Sequence, residues 1–120
     1  MADAKQAYVR APMKGTPTWV VTPLEHYPEK YKHLYSKLKR PVCRLLRSLY
    51  GYPDSGTNWE EFADEGIKKS GFKPMGEEWP ACYVHDKLRL MLVVYVDDFK
   101  LAGPKEIWRR VGLYSVITWV

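Results

Sequence analysis

The most regular pattern in the chain is a stripe. Trp59, Phe62, Ala63 and Ile67 recur at helical spacing, the arrangement by which a helix lays one face against a core. Thr57, with Glu60 three residues on, reads as a capping box that opens this helix. Glu60 and Glu61 then fall near its start and Lys68 and Lys69 near its end, matching the helix dipole, and Gly71 reads as a left-handed C-cap. A second pattern is continuous: Leu88 to Val96 is almost uniformly apolar and predicts a strand buried on both faces. Ala81 to His85 reads as the strand before it, with Asp86-Lys87 as a two-residue turn. Asp97-Asp98 interrupts the apolar run, Phe99 to Ala102 resumes it, and Gly103-Pro104 stops it. Two adjacent carboxylates are thus predicted at the tip of a hairpin.

The first half of the chain is less regular. Residues 1–10 read as one strand running into a turn. Prolines at 12, 17, 23, 28 and 41 remove backbone donors and break any longer ladder. Between them Thr18 to Thr22 reads as a short strand, and Val42 to Leu45 alternates as an edge strand does.

Composition narrows this reading. A chain of 120 residues with 46% hydrophobic and 28% charged residues is a single small folding domain and not a disordered segment. No apolar run approaches the roughly 20 residues that span a bilayer, and the first fifteen residues hold no apolar core of a signal peptide. Cys43 and Cys82 are too few and too far apart for a disulfide framework or a zinc site, so free thiols and an intracellular compartment are expected. Both ends look cut, and a fragment is expected.

Charge brings in the first candidate chemistry. Nineteen basic residues against fourteen acidic ones leave a net charge of +5, which favours a phosphate-bearing or acidic partner. From Lys30 to Arg47 seven residues are basic (Lys30, Lys32, Lys37, Lys39, Arg40, Arg44 and Arg47) and none is acidic, with Tyr27, Tyr31, His33 and Tyr35 in or beside the stretch. This is either a solvated basic loop or a patch that follows a nucleic-acid backbone, its cations on phosphates and its rings against bases. The paired aspartates have two readings as well. Asp closes hairpins routinely, yet carboxylates are also the hard oxygen ligands that Mg²⁺ takes alongside water and substrate phosphates.

Three stretches in order carry a family resemblance. Asp3-Ala4-Lys5-Gln6-Ala7-Tyr8 resembles the first catalytic motif of the reverse transcriptases of copia-type retrotransposons. Ser48-Leu49-Tyr50-Gly51-Tyr52-Pro53-Asp54-Ser55-Gly56-Thr57-Asn58-Trp59 is similar to their S-L-Y-G-x-x-x-S-x-x-x-W signature. Tyr95-Val96-Asp97-Asp98 is similar to their YVDD box, with Val42-Cys43-Arg44-Leu45 and Pro80-Ala81-Cys82-Tyr83 in the expected places between. The resemblance runs from about Asp3 to Lys105. It implies an α+β fold, a partial polymerase palm with an antiparallel sheet packed on one main helix, over residues 1–105, an unplaced tail over 106–120, and fingers and thumb elsewhere in a Pol polyprotein. The family's usual basic-then-glutamine pair after the Gly-x step is Pro53-Asp54 here.

The resemblance further implies an RNA-directed DNA polymerase with an RNA template, a DNA primer and deoxynucleoside triphosphates as partners. Asp3, Asp97 and Asp98 would be the catalytic carboxylates holding two Mg²⁺ ions, with Mn²⁺ as a substitute. Tyr8 matches the residue that screens the incoming sugar by shape. Gly51 and Ser55 match the segment along the nucleotide, and Tyr95 the contact to the primer end. Charge alone adds Lys37, Lys39, Arg40, Arg44 and Arg47 as primer or template contacts. The fragment by itself is expected to be inactive. The competing readings are a basic nucleic-acid-binding module without catalysis and a functionless remnant of a transposable element.

Overall fold

The computed structural model describes the backbone of residues 2–110 and the side chains of residues 4–107. Its fold is α+β, with antiparallel sheets. The strands are β1 (Ala2–Asp3), β2 (Trp19–Val21), β3 (Val42–Arg44), β4 (Lys73–Pro74), β5 (Cys82–His85), β6 (Leu90–Tyr95) and β7 (Asp98–Ala102). The helices are α1 (Ala7–Arg10), α2 (Glu29–Tyr35), α3 (Ser55–Lys69) and α4 (Lys105–Arg110), with a 3₁₀ turn at Leu24–His26. The main sheet has the order β1-β7-β6-β5-β4 and a second sheet pairs β2 with β3.

Alternation along the central strands sorts the main sheet into two faces. Leu90, Leu92 and Phe99 are buried, while Met91, Val93 and Lys100, one step out of phase, are not. The apolar rows meet α3, whose Trp59, Ala63 and Ile67 are all buried, and α1, which adds Ala7. The expected stripe therefore forms the core. The expectation that Leu88 to Val96 is buried on both faces is not met among the described residues, whose helices cover one side of the sheet. The turn before β6 also differs: His85 pairs with Leu90, so four residues turn instead of two, with Arg89 in the left-handed region at φ 52°.

The main helix starts earlier than its sequence suggests. Thr57 lies inside the first turn, and the N-cap is Asp54 without a side-chain bond. The capping box does not form. The C-terminus behaves as expected: Gly71 adopts φ 90°, its N–H bonds the Lys68 carbonyl at 3.0 Å and the Phe72 N–H bonds the Ile67 carbonyl at 3.4 Å. These two bonds, with Phe72 and Ile67 both buried, make a Schellman stop. Residues 1–10, expected as a strand and turn, end in the short helix α1, and a helix, α2, sits inside the basic stretch. Two-residue β4 is the sheet edge, where Pro74 costs no ladder bond.

Residues 11–48 leave this body and return to it. Ser48 N–H bonds the Ala11 carbonyl at 2.9 Å and Met13 N–H bonds the Leu46 carbonyl at 3.0 Å, forming an antiparallel neck. Above the neck β2 and β3 pair Trp19 with Arg44, Val20 with Cys43 and Val21 with Val42. The 3₁₀ turn and α2 cap this ribbon. The side chains expected in the tail, Trp108 and Trp119 among them, lie outside the described residues.

Candidate functional site

The acidic pair sits where the sequence puts it, on the connection between β6 and β7. Tyr95 pairs with Asp98, which leaves Val96 and Asp97 as a two-residue turn. Val96 takes φ 54°, a left-handed conformation that costs a β-branched residue free energy and that glycine would adopt without strain. What holds it is the core: the Trp59 indole N–H donates to the Val96 carbonyl at 2.6 Å, and Trp59 is itself 1% exposed. The long helix thereby fixes the turn that carries the aspartates. Nothing in the motif pattern singled out this bond.

The third aspartate arrives by strand pairing. β1 runs antiparallel to β7 with Asp3 opposite Asp98 and Ala2 opposite Phe99, and the Ala4 N–H donates to the Asp97 carbonyl at 2.8 Å. Directly opposed positions in an antiparallel ladder share a face at roughly 4.5–5.5 Å. Asp3, Asp98 and Tyr95 therefore occupy one row across three strands, on the face away from α3, with Asp97 at the adjacent turn. The Asp3 side chain lies outside the described residues. Among the described residues no group of three or more His, Cys, Asp or Glu side chains comes together as a metal-binding set.

Around this row the environment is open. Asp97 and Asp98 are half-buried and Tyr95 is 75% exposed. The ion pairs of the described residues engage other acids, Glu61 with Lys14, Glu29 with Lys32, Asp64 with Lys68, Glu65 with Lys69 and Asp86 with Lys73. Neither aspartate of the pair joins them. Lys100 alternates with Asp98 onto the same face two residues along β7, opposite Val93. It is an exposed cation that the motif comparison passed over, and the strand periodicity of 2 was the signal that would have found it.

The nucleotide-side candidates form a second cluster. Tyr8 on α1 packs edge-on against Tyr50, ring centres 4.8 Å apart, and Gly51 follows at φ 83°. Ser55 is 2% exposed and its hydroxyl donates to the Leu49 carbonyl at 2.6 Å, so this side chain secures the turn that starts α3. Arg47 belongs to the neck, its guanidinium donating to the Arg10 carbonyl at 2.6 Å. Lys37, Lys39 and Arg40 are exposed in the connection between α2 and β3, and Arg44 is exposed on β3. The basic candidates thus belong to the ribbon and its neck, and the acidic ones to the sheet.

A separate cavity of about 490 Å³ lies between the flank of α3 and the turn end of the sheet, lined by Ala63, Ile67, Pro80, Val94 and Val96 among others. Beside it the buried Tyr83 hydroxyl donates to Asp64 at 3.0 Å. Burial first, then this bond to a carboxylate, push the Tyr83 pKa up to about 12.

No helix among the described residues is long and apolar enough to cross a membrane. Set beside known proteins, the chain matches no protein-family model, no curated protein and no solved structure.

Proposed function

We propose that this chain is palm-type sequence from an RNA-directed DNA polymerase of the copia retrotransposon kind, with Asp3, Asp97 and Asp98 as its acidic centre. The observation that supports the reading most is the ladder register. Asp3 lies opposite Asp98, more than ninety positions away in sequence, across β1 and β7, and the neighbouring Asp97 is carried on a turn bonded by a buried tryptophan. Hairpin-closing aspartates need no partner from the other end of the chain.

The donor set fits a divalent hard cation: carboxylates, held on rigid strands, with no competing cation bonded to the described pair. Bound there, two Mg²⁺ ions would lower the pKa of an attacking 3′-hydroxyl and neutralise a leaving pyrophosphate. The protein's share is placement. β1, β6 and β7 fix the row, Trp59 holds the turn, and Tyr95 presents an exposed ring beside Asp98 on the face where a primer end would lie. Tyr8, braced by Tyr50, is a rigid ring available to bound the sugar of an incoming nucleotide.

Mn²⁺ titration followed by electron paramagnetic resonance tests the centre. The expected result is binding that weakens about tenfold or more in Asp97→Asn, as losing one carboxylate from so small a ligand set implies. Equal, weak binding by the two proteins would sink the proposal. The charge segregated on the ribbon favours a second reading, a nucleic-acid-binding module without catalysis. That reading predicts oligonucleotide binding together with indifference to Asp97→Asn in the Mn²⁺ titration, and no deoxynucleotide incorporation on a primed RNA template.

A further inference from the structure

The ribbon has one covered face and one open one. Val20 and Cys43 form the inner row, half-buried. The neighbouring Cys43 thiol, more than burial, pushes the Tyr27 pKa up to about 12. The outer row is Trp19 with Arg44 and Val21 with Val42, and nothing among the described residues covers it. Trp19 is 58% exposed and Val21 75%. A tryptophan and two valines left in water on so short a sheet are unusual for a surface without a ligand.

Charge says what kind of ligand. Residues 12–47 hold eight basic and two acidic side chains, a net of +6, while the remaining residues hold eleven basic and twelve acidic. The whole positive excess of the molecule therefore sits on the ribbon and its neck. Lys37, Lys39 and Arg40 lead directly into β3, and Arg44 stands beside Trp19 on the same face. Cations with an exposed flat ring between them are what an unpaired nucleic-acid strand requires: charge for the phosphates and a platform for a base. A duplex hides its base faces and gains nothing from the ring.

We infer that the outer face of the ribbon binds single-stranded nucleic acid, with Trp19 as the base-stacking platform and Lys37, Lys39, Arg40 and Arg44 on the backbone. This deepens the nucleic-acid part of the function proposed above but does not depend on the aspartates. The test uses the full chain in EDTA, with a fluorescein-labelled oligothymidylate of about 12 nucleotides, within the span of known single-strand sites, and a duplex of the same length. Anisotropy titrations are run at several salt concentrations.

Trp19→Ala is expected to weaken single-strand binding about five- to hundredfold with the salt slope unchanged, and to leave duplex binding alone. Trp19→Phe keeps a ring and should retain most of the affinity, which separates stacking from misfolding. Replacing Lys37, Lys39 and Arg40 with Gln should instead flatten the salt slope, by about 0.7 for each phosphate no longer neutralised. Because EDTA removes divalent cations from this titration, its failure and failure of the Mn²⁺ test at the acidic row are told apart. Wild-type affinity in Trp19→Ala overturns the inference. So does displacement of the oligonucleotide by an acidic peptide as readily as by unlabelled oligonucleotide.

Discussion

Two regions of this chain are built on opposite terms. Among the described residues the body, formed by β1, α1, α3 and β4 to β7 with the turns that join them, supplies every buried one; the ribbon, from Pro12 to Arg47, supplies none. The residues outside the ribbon are together nearly neutral, eleven basic against twelve acidic, and the ribbon carries the positive charge. Burial stabilises the first at roughly 25 cal/mol per Å² of apolar surface. The ribbon is held by backbone pairing, a neck and its own ring contacts, such as the edge-on Tyr27–Tyr35 pair at 5.1 Å. A surface with so little buried is free to vary for binding, whereas the body must keep its shape to keep its acidic row.

The largest test of this contrast uses two tryptophans. Trp59→Ala removes the largest fully buried side chain and should cost about 3–5 kcal/mol, while Trp19→Ala should stay within about 0.5 kcal/mol. Urea unfolding of both variants checks it. Similar losses would erase the distinction between the regions. Trp59→Ala also frees the Val96 carbonyl, so weaker Mn²⁺ binding in the fraction that still folds would link the core to the turn.

A middle-sized effect is expected where the regions join. Asn58 on α3 donates to the Ser48 hydroxyl at 3.1 Å, and both side chains are buried, at 5% and 0% exposed. Asn58→Ala takes that donor away from the hydroxyl and should cost about 1–3 kcal/mol. Limited proteolysis should then cut faster within residues 12–47 than within the body. Uniform acceleration of both would mean that the join is not where the ribbon is held.

The smallest effect is read at two tyrosines by pH. Tyr83 in the body has its pKa raised above the ordinary 10 to about 12. A raised folded-state value favours the neutral phenol, so its contribution is complete below pH 10 and is lost as pH climbs toward 12. Tyr83→Phe should flatten the decline of stability over that window. Tyr27 on the ribbon, raised as well, should ionise late in absorbance titrations, and by the same linkage Tyr27→Phe should flatten that decline too.

Much of the body was legible because its periods are clean. The stripe from Trp59 to Ile67 and the Gly71 stop needed only helical spacing and one left-handed glycine. The helix start was not legible: Ser55 reads as a polar turn residue, and only the tertiary bond to the Leu49 carbonyl reveals its use. The four-residue turn at 86–89 was missed because it needs Arg89 at positive φ, a conformation that no arginine advertises. α2 was hidden by its own basic, aromatic face, which buries nothing and so has no apolar stripe. The acidic row was visible only through motif order, since no local pattern announces which strand will pair with β7.

That last pairing joins residue 3 to residue 98, far apart in the chain. Local hairpins close quickly, and contacts this remote in sequence are slow because a long loop must first be gathered. The two-aspartate turn will exist early in folding, and the three-aspartate row only at its end. An incompletely folded chain would carry the turn without its strand partner, so on the function proposed above divalent-cation affinity would report complete assembly.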